Sequence, residues 1–197
     1  MVFSILNFTK PAKMSLTATS DSELLIHFRN PVTKEAAYTS IIKKYQEKLY
    51  WHIRRMVIDH DDANDVLQNV LVRVWNGLEN FREDSQLYTW LYRIGTNECL
   101  TFLEQQKKRS AVSLSDVDSG LINKIKADKH FDSSKIEWKL QLAIQQLPEK
   151  QRIVFGLRYY DEMPYEQMSK VLETSEGALK ASYHHAVKKV EEYMLNN

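Results

Sequence analysis

The chain has 197 residues, enough for one ordinary domain or two small ones, and only five glycines and four prolines interrupt it; this composition is typical of a mostly helical globular protein with few or no strands. The formal net charge is +1, which excludes a polycation that binds nucleic acid by bulk electrostatics alone. A single cysteine, Cys99, excludes an intrachain disulfide and favours a reducing compartment.

Residues 1–30 are predicted to form a disordered N-terminal extension. The apolar start of this segment lacks a basic leader and is too short for a secretory core or a membrane span. We therefore expect a cytoplasmic protein. Met14 is an alternative start to Met1, and the sequence leaves that choice open.

Residues 31–109 are predicted to form a first helical domain. The stretch "TSIIKKYQEKLYWHIRRMVI" repeats apolar residues every three or four positions, which predicts one long amphipathic helix. A second helix follows "DHDD", where residues 59–62 supply an N-cap and an acidic first turn. A third helix begins near Ser85 and ends in a basic turn. The apolar stripe of the second helix is Ala63, Val66, Leu67, Val70, Leu71 and Val74.

A linker is predicted over residues 110–134, which are rich in Ser, Asp and Lys and have no sustained apolar period. Residues 135–197 are predicted to form a second domain of four helices. Pro148 and Pro164 each lie at a predicted first turn, where proline is tolerated. The predicted fold is therefore all-α, with two small helical domains joined by a flexible linker. The four helices are expected at 135–147, 148–160, 164–172 and 175–195.

The last two predicted helices are joined by the turn "ETS" and have the spacing of a helix-turn-helix. One face of the final helix is apolar, and the other is free to enter a DNA major groove. An ordinary helical hairpin explains the same pattern, and the weakly basic outer face indicates weak DNA binding by this domain alone. The outer-face residues are Ser175, Glu176, Gly177, Lys180, Ala181, His184 and Lys188.

Four aromatic residues crowd the stretch "FREDSQLYTWLYR". On a helix that begins near Ser85, Trp90 shares a face with Leu87, whereas Tyr88 and Tyr92 lie roughly 100 to 140 degrees around the axis. Two interpretations stay open. The tyrosines are half-buried at the rim of a bundle, or they stack single-stranded bases beside a set of cations. Those cations are Arg82, Arg93, Lys107, Lys108 and Arg109.

Three stretches together resemble one family: "DDANDVLQNVLVRVW", "FREDSQLYTWLYRIGTNE" and "LPEKQRIVFGLRYYDEMPYEQMSKVLETSEGALKASYHHAVKKV". They closely resemble the two conserved regions of extracytoplasmic-function sigma factors, the smallest members of the sigma-70 family. The resemblance covers residues 31–193 apart from the linker. It implies a promoter-recognition subunit of bacterial RNA polymerase, whose first domain (sigma region 2) reads and melts the minus-ten element and whose second (sigma region 4) binds the minus-thirty-five element.

The resemblance also assigns residues to these roles. In this family the loop before the aromatic helix captures a base flipped from the duplex, and it maps onto residues 76–85, with Trp90 as core beneath it. The expected minus-ten set is Asn76, Asn80, Phe81, Arg82, Ser85, Tyr88, Tyr92, Arg93, Lys107, Lys108 and Arg109. The expected polymerase-binding set on the second helix is Asp62, Asp65, Gln68, Asn69 and Arg73.

The implied partners are the polymerase core, through its β′ clamp and β flap, promoter DNA and an anti-sigma factor; no small-molecule substrate or cofactor is implied. The chain departs from the family at Ser182, His185 and Val187, where relatives often carry arginines. The preferred upstream sequence therefore stays open. Whether His184 and His185 contact DNA or only cover the helix also stays open.

Two other classes of protein remain as alternatives. A transcription regulator with a sensory first domain would bind promoters tightly without polymerase. A helical adaptor would bind no DNA even with core polymerase present. An enzyme is the weakest interpretation, because there is no glycine-rich phosphate loop and no nucleophile motif. His60 beside Asp61 and Asp62 is more simply an acidic helix start than a metal site, and we predict no metal.

Overall fold

The computed structural model describes residues 20–110 and 135–196, and within these ranges every regular element is helical. The all-α prediction is confirmed. Most of the predicted linker, residues 111–134, and residues 1–19 of the predicted extension lie outside the described ranges. In chain order the helices are α1 (Asp21–Arg29), α2 (Lys34–Val57), α3 (His60–Gly77), α4 (Leu87–Ser110), α5 (Lys135–Gln145), α6 (Glu149–Tyr159), α7 (Tyr165–Leu172) and α8 (Glu176–Asn196), with a 3-10 turn at Leu78–Asn80.

The prediction of a disordered extension was wrong for residues 21–29, which form α1. A capping box begins this helix: the Glu23 N–H donates to the Ser20 hydroxyl oxygen at 3.3 Å, and the Ser20 N–H donates to the Glu23 carboxylate at 2.9 Å. These hydrogen bonds lower the pKa of the Glu23 carboxyl below its ordinary value. Leu24, Leu25 and Phe28 supply the buried side of the helix.

The chain divides into two compact units, residues 1–44 and 45–197, with the boundary inside α2. In the first unit the Phe28 ring lies 6.4 Å from the Tyr38 ring, measured between centroids. Lys44 pairs with Asp21 at 2.7 Å. Apolar packing and this ion pair together hold α1 on the first half of α2.

In the second unit α3 packs against α4. The turn into α3 uses Ile58 in the left-handed region, with a φ of 70°, and Asp59 then accepts hydrogen bonds from the N–H groups of Asp61 and Asp62. This is the N-cap that the sequence predicts. The inner face of α3 is buried at Ala63, Val66, Val70 and Val74.

The helices from α5 to α8 surround a second apolar cluster, in which Phe155 packs with Leu147 and Ala186. Helix α7 ends at Leu172 and is followed by Glu173, whose φ of 50° lies in the left-handed region. The N–H of Ala178 donates to the hydroxyl of Ser175, just before α8. The α7–α8 pair therefore consists of two contacting helices joined by a short turn, in the order that the sequence predicts. Helix α7 also packs against α4. No helix within residues 20–110 or 135–196 combines the length and apolarity that crossing a bilayer requires.

Two substitutions on α1 test its packing. We expect Phe28→Ala to lower the free energy of unfolding by about 3 to 5 kcal/mol, because its ring is only 1% exposed and its removal leaves a cavity. Ile26→Ala on the same helix, where the side chain is 64% exposed, should change it by less than about 0.5 kcal/mol. Urea unfolding followed by circular dichroism measures both, and equal effects would contradict a packed α1.

Candidate nucleic-acid interface

The loop between α3 and α4, residues 78–86, is held from below by aromatic packing. Phe81 is 6% exposed, and its ring centroid lies 5.1 Å from that of the half-buried Trp90. Gly77, at the end of α3, lies close under the same indole: a Cβ at this position would stand 3.1 Å from a ring carbon of Trp90. The Trp90 indole therefore contacts both the loop, through Phe81, and the end of α3, where a Cβ at position 77 would require the indole to shift by a few tenths of an ångström.

Polar side chains of this loop surround a cavity of about 550 Å³. Arg82 and Asp84 are exposed, Ser85 is half-buried, and Thr89 lies buried at the α4 side. The cavity combines two guanidinium groups with aromatic surface, which suits a planar ligand attached to an anionic backbone. Its lining from the loop and α4 is Asn80, Phe81, Arg82, Asp84, Ser85, Thr89, Trp90 and Arg93.

Five residues of the predicted minus-ten set are thus brought together around one cavity: Asn80, Phe81, Arg82, Ser85 and Arg93. Phe81 is buried beneath the loop rather than presented by it. Three further lining residues, Ser169, Lys170 and Glu173, come from α7 and its C-terminal end. Sequence reasoning missed them, because nothing local relates them to a loop about ninety residues earlier.

The two tyrosines of the predicted stacking platform differ in environment. Tyr88 is half-buried, and its ring centroid lies 4.3 Å from that of Tyr92. Tyr92 is 1% exposed, and its hydroxyl donates to Asp161 at 3.3 Å. Burial raises the pKa of the Tyr92 hydroxyl far above its ordinary value, and the negative charge of Asp161 adds to this rise. Tyr88 therefore has the half-buried environment of the rim interpretation. Tyr92 is buried, so its ring offers no exposed surface for stacking.

The remaining predicted cations lie along α4. Arg93, Lys107, Lys108 and Arg109 are all exposed, and Lys107 forms an ion pair with Glu149 at the start of α6. Asn76, at the end of α3, is exposed as well. Of these groups Arg93 lines the cavity, whereas Asn76, Lys107, Lys108 and Arg109 lie outside it.

The predicted polymerase-binding set occupies the outer face of α3. Asp65, Gln68, Asn69 and Arg73 are exposed and Asp62 is half-buried. The Nε of Arg73 lies 2.5 Å from the Glu98 carboxylate on α4. Val72, on the same helix as the predicted polymerase-binding set, is an exposed apolar residue. The sequence pattern predicts a wholly polar face here and does not indicate it.

A second feature that the sequence did not indicate joins α2 to α3. The Tyr50 hydroxyl lies 2.6 Å from Nδ1 of His60, and Nε2 of His60 lies 3.1 Å from the Asn64 amide nitrogen. Trp51, beside Tyr50, is exposed. Both ring nitrogens of His60 are therefore engaged, and within residues 20–110 and 135–196 no cluster of His, Cys, Asp or Glu has the makings of a metal site.

The predicted minus-thirty-five set is exposed along α8, without exception: Ser175, Glu176, Gly177, Lys180, Ala181, His184 and Lys188. The Lys180 ammonium lies 3.4 Å from the Glu176 carboxylate and 5.5 Å from the centre of the Tyr165 ring. On the opposite side Leu179, Ala186 and Val190 are buried. The face offers hydroxyl, ammonium and imidazole groups, and small residues between them permit close approach to a groove.

Two family models match the chain: Sigma-70 region 2 over residues 41–109, and Sigma-70, region 4 over residues 137–190. Among curated proteins, the RNA polymerase sigma-H factor of Pseudomonas aeruginosa is 32% identical over 153 residues, which cover 74% of this chain and 79% of that protein. The ECF RNA polymerase sigma-E factor of Escherichia coli is 28% identical over 157 residues, covering 75% of this chain and 81% of that protein.

Two solved structures share the fold. The sigma factor RpoE of Bartonella quintana, in complex with the anti-sigma factor NepR, aligns with a TM-score of 0.62 at 19% identity, covering 81% of this chain and 98% of that one. CnrH, in complex with the cytosolic domain of CnrY, aligns with a TM-score of 0.63 at 19% identity, covering 87% of this chain and 95% of that one.

Two neighbouring substitutions test whether Phe81 stabilises the loop while Arg82 is only exposed on it. We expect Phe81→Ala to lower the free energy of unfolding by about 3 kcal/mol or more, since a buried ring is lost. Arg82→Ala, at the exposed neighbour, should change it by less than about 0.5 kcal/mol. Denaturant unfolding compares the two variants, and a stability loss at Arg82 as large as at Phe81 would refute this division.

Proposed function

Because the chain belongs to the sigma-70 family, as an extracytoplasmic-function sigma factor that directs promoter-specific transcription initiation, we propose that three of its surfaces divide this work. The loop 78–86 with α4 takes the minus-ten element, α8 takes the minus-thirty-five element, and the outer face of α3 docks on RNA polymerase. The observation that carries the proposal is the surface that the loop 78–86 and α4 present to the cavity of about 550 Å³, where Arg82 and Arg93 lie beside Phe81 and Trp90.

At the minus-ten element, one base leaves the duplex stack and enters this cavity. Unstacking costs a few kcal/mol, and stacking on aromatic surface with charge neutralisation by Arg82 and Arg93 offsets it. The Phe81–Trp90 contact, with ring centroids 5.1 Å apart, holds the loop ready, so little ordering entropy is lost on binding. Asn76, Tyr88 and the basic end of α4 follow the same strand.

Helix α3 binds the β′ clamp of bacterial RNA polymerase through Asp62, Asp65, Gln68, Asn69 and Arg73, and the second domain contacts the β flap. Val72 adds an apolar contact at the centre of this surface. Because the polymerase supplies most of the non-specific attraction to DNA, a chain with a net charge of only +1 suffices. The chain acts by binding rather than by catalysing a reaction, in the cytoplasm.

At the minus-thirty-five element, the exposed face of α8 enters the major groove. Lys180 is released from Glu176 to contact DNA, while Ser175 and His184 offer further polar contacts. An anti-sigma factor regulates the chain. Supporting this, the sigma factor RpoE of Bartonella quintana, which shares the fold, was solved in complex with the anti-sigma factor NepR.

Reconstitution with bacterial core RNA polymerase tests the whole proposal. The full chain should co-elute with the core enzyme and produce discrete transcript starts from genomic DNA. Promoter binding without polymerase, combined with failure to bind the core enzyme, would favour a transcription regulator and overturn the proposal.

Charge reversal on α3 tests the polymerase-binding surface. We expect Asp65→Lys to weaken core binding by about tenfold or more, because a like charge then faces the partner surface that an acid complements. Glu104→Lys, an equal charge change at an exposed position on α4, should leave the affinity unchanged. Competition for core polymerase measures both, with melting temperatures as the folding check. Equal affinities for the two variants would remove α3 from the interface.

Truncation on α8 tests the upstream contact. We expect Lys180→Ala to weaken holoenzyme binding to the upstream element by about fivefold, the effect of one lost phosphate or base contact. Lys189→Ala is the matched control, since Lys189 is exposed on the same helix but outside the proposed set and contacts Gln151 at 3.1 Å. Binding to duplexes with and without the upstream element compares the variants. Undiminished binding by Lys180→Ala would exclude this side chain from the contact.

A further inference from the structure

Asp161, in the turn after α6, is a buried acidic side chain at the contact between the helices on either side of residues 111–134. Its carboxylate is 6% exposed. One oxygen lies 2.5 Å from the Arg55 guanidinium and 3.3 Å from the Tyr92 hydroxyl, and the other lies 3.2 Å from Nδ1 of His52. Helices α2 and α4 thus supply all of these donors to one carboxylate of the C-terminal half.

The geometry of this site is specific. When Nδ1 of His52 donates to Asp161, its Nε2 accepts from the Thr96 hydroxyl at 3.0 Å, so both nitrogens of the buried imidazole are satisfied. The Arg55 guanidinium also stacks over the Tyr160 ring at 4.8 Å. A buried carboxylate without such partners would be strongly disfavoured. The match of donors to acceptor therefore indicates a built docking contact.

The same contact places α7 over the loop 78–86. The Gln167 amide donates to the Gln86 side-chain oxygen at 3.1 Å. Lys170 and Glu173 form one wall of the cavity whose other walls include Arg82 and Arg93. A strand of DNA that follows the loop 78–86 and α4 across this cavity meets α7, which occupies its other side.

We propose that Asp161 is a latch that holds this sigma factor in a self-closed state, in which its own helix α7 blocks the minus-ten surface. The inference rests on the proposed function for its consequence, although the closed state itself is independent of that function. Release of Asp161 from His52, Arg55 and Tyr92 opens the cavity. Because only the open fraction of molecules binds DNA, the latch lowers the apparent affinity for the minus-ten strand by that fraction.

A cysteine pair reports the closed state in the full chain. In the variant Gln86→Cys/Gln167→Cys a short bis-maleimide should join the two positions efficiently, and either single variant is the control. The native Cys99 does not interfere, because it is buried and burial raises the pKa of its thiol. We expect Asp161→Asn to slow cross-linking by about tenfold or more, the effect of losing a charge-assisted hydrogen bond. Glu162→Gln, the exposed neighbouring acid, should leave the rate unchanged.

A second variant guards against misfolding. Arg55→Gln removes the opposite partner of the same contact and should slow cross-linking in the same way. If neither variant slows it while both fold, or if the wild-type pair does not cross-link, the latch is refuted.

The functional readout uses the disulfide form of the cysteine pair with core polymerase. The oxidised protein should lose binding to a single-stranded minus-ten oligonucleotide, and reduction should restore it; Asp161→Asn should bind the oligonucleotide about tenfold more tightly than wild type. Full activity of the oxidised protein would overturn the blocking role. If the reduced cysteine variant, Asp161→Asn and the wild type all fail to bind the oligonucleotide, the proposed function fails. The cross-linking rates then still decide whether Asp161 holds the molecule closed.

Discussion

The packing of α3 against α4 is the constraint on which the functional surfaces depend. Val66, Val70 and Val74 are buried on one side of α3, Leu87 and Leu91 are buried on α4, and the two helices pack together. The outer side of α3 is left to carry polar groups, and the connecting loop must cross a fixed gap between two rigid helices. Phe81 and Trp90 close that gap. Two proposed recognition surfaces, one for polymerase and one for DNA, therefore share a single apolar support.

Much of this architecture could be predicted because local signals agree with one another. Asp59 caps α3, Pro148 and Pro164 precede α6 and α7, and apolar residues repeat at helical spacing between such signals. Helix α1 was missed although its capping box was legible at Ser20 and Glu23. With nine residues and only three buried side chains, its apolar pattern was too short to outweigh the polar composition around it.

The candidate site was predictable where its residues are neighbours in sequence and not where they are brought together by folding. Asn80, Arg82 and Arg93 lie within one stretch of fourteen residues. The resemblance to sigma factors identified them as candidate site residues. The Tyr92 hydroxyl donates to Asp161, 69 residues further on, and helical periodicity carries no information about such a partner. Val72 could not be predicted for a different reason: whether an apolar residue is exposed depends on the neighbours that pack on it, and the sequence does not give these.

The contrast between the buried carboxylate at 161 and the exposed cations of α4 has a consequence for ionic strength. Mobile ions screen Arg93, Lys108 and Arg109 and compete with them for phosphates, whereas a carboxylate enclosed among its donors is screened much less. Added salt would therefore weaken the attraction to DNA while leaving the internal contact nearly intact. Under the proposed latch, added salt therefore favours the closed state over binding to DNA.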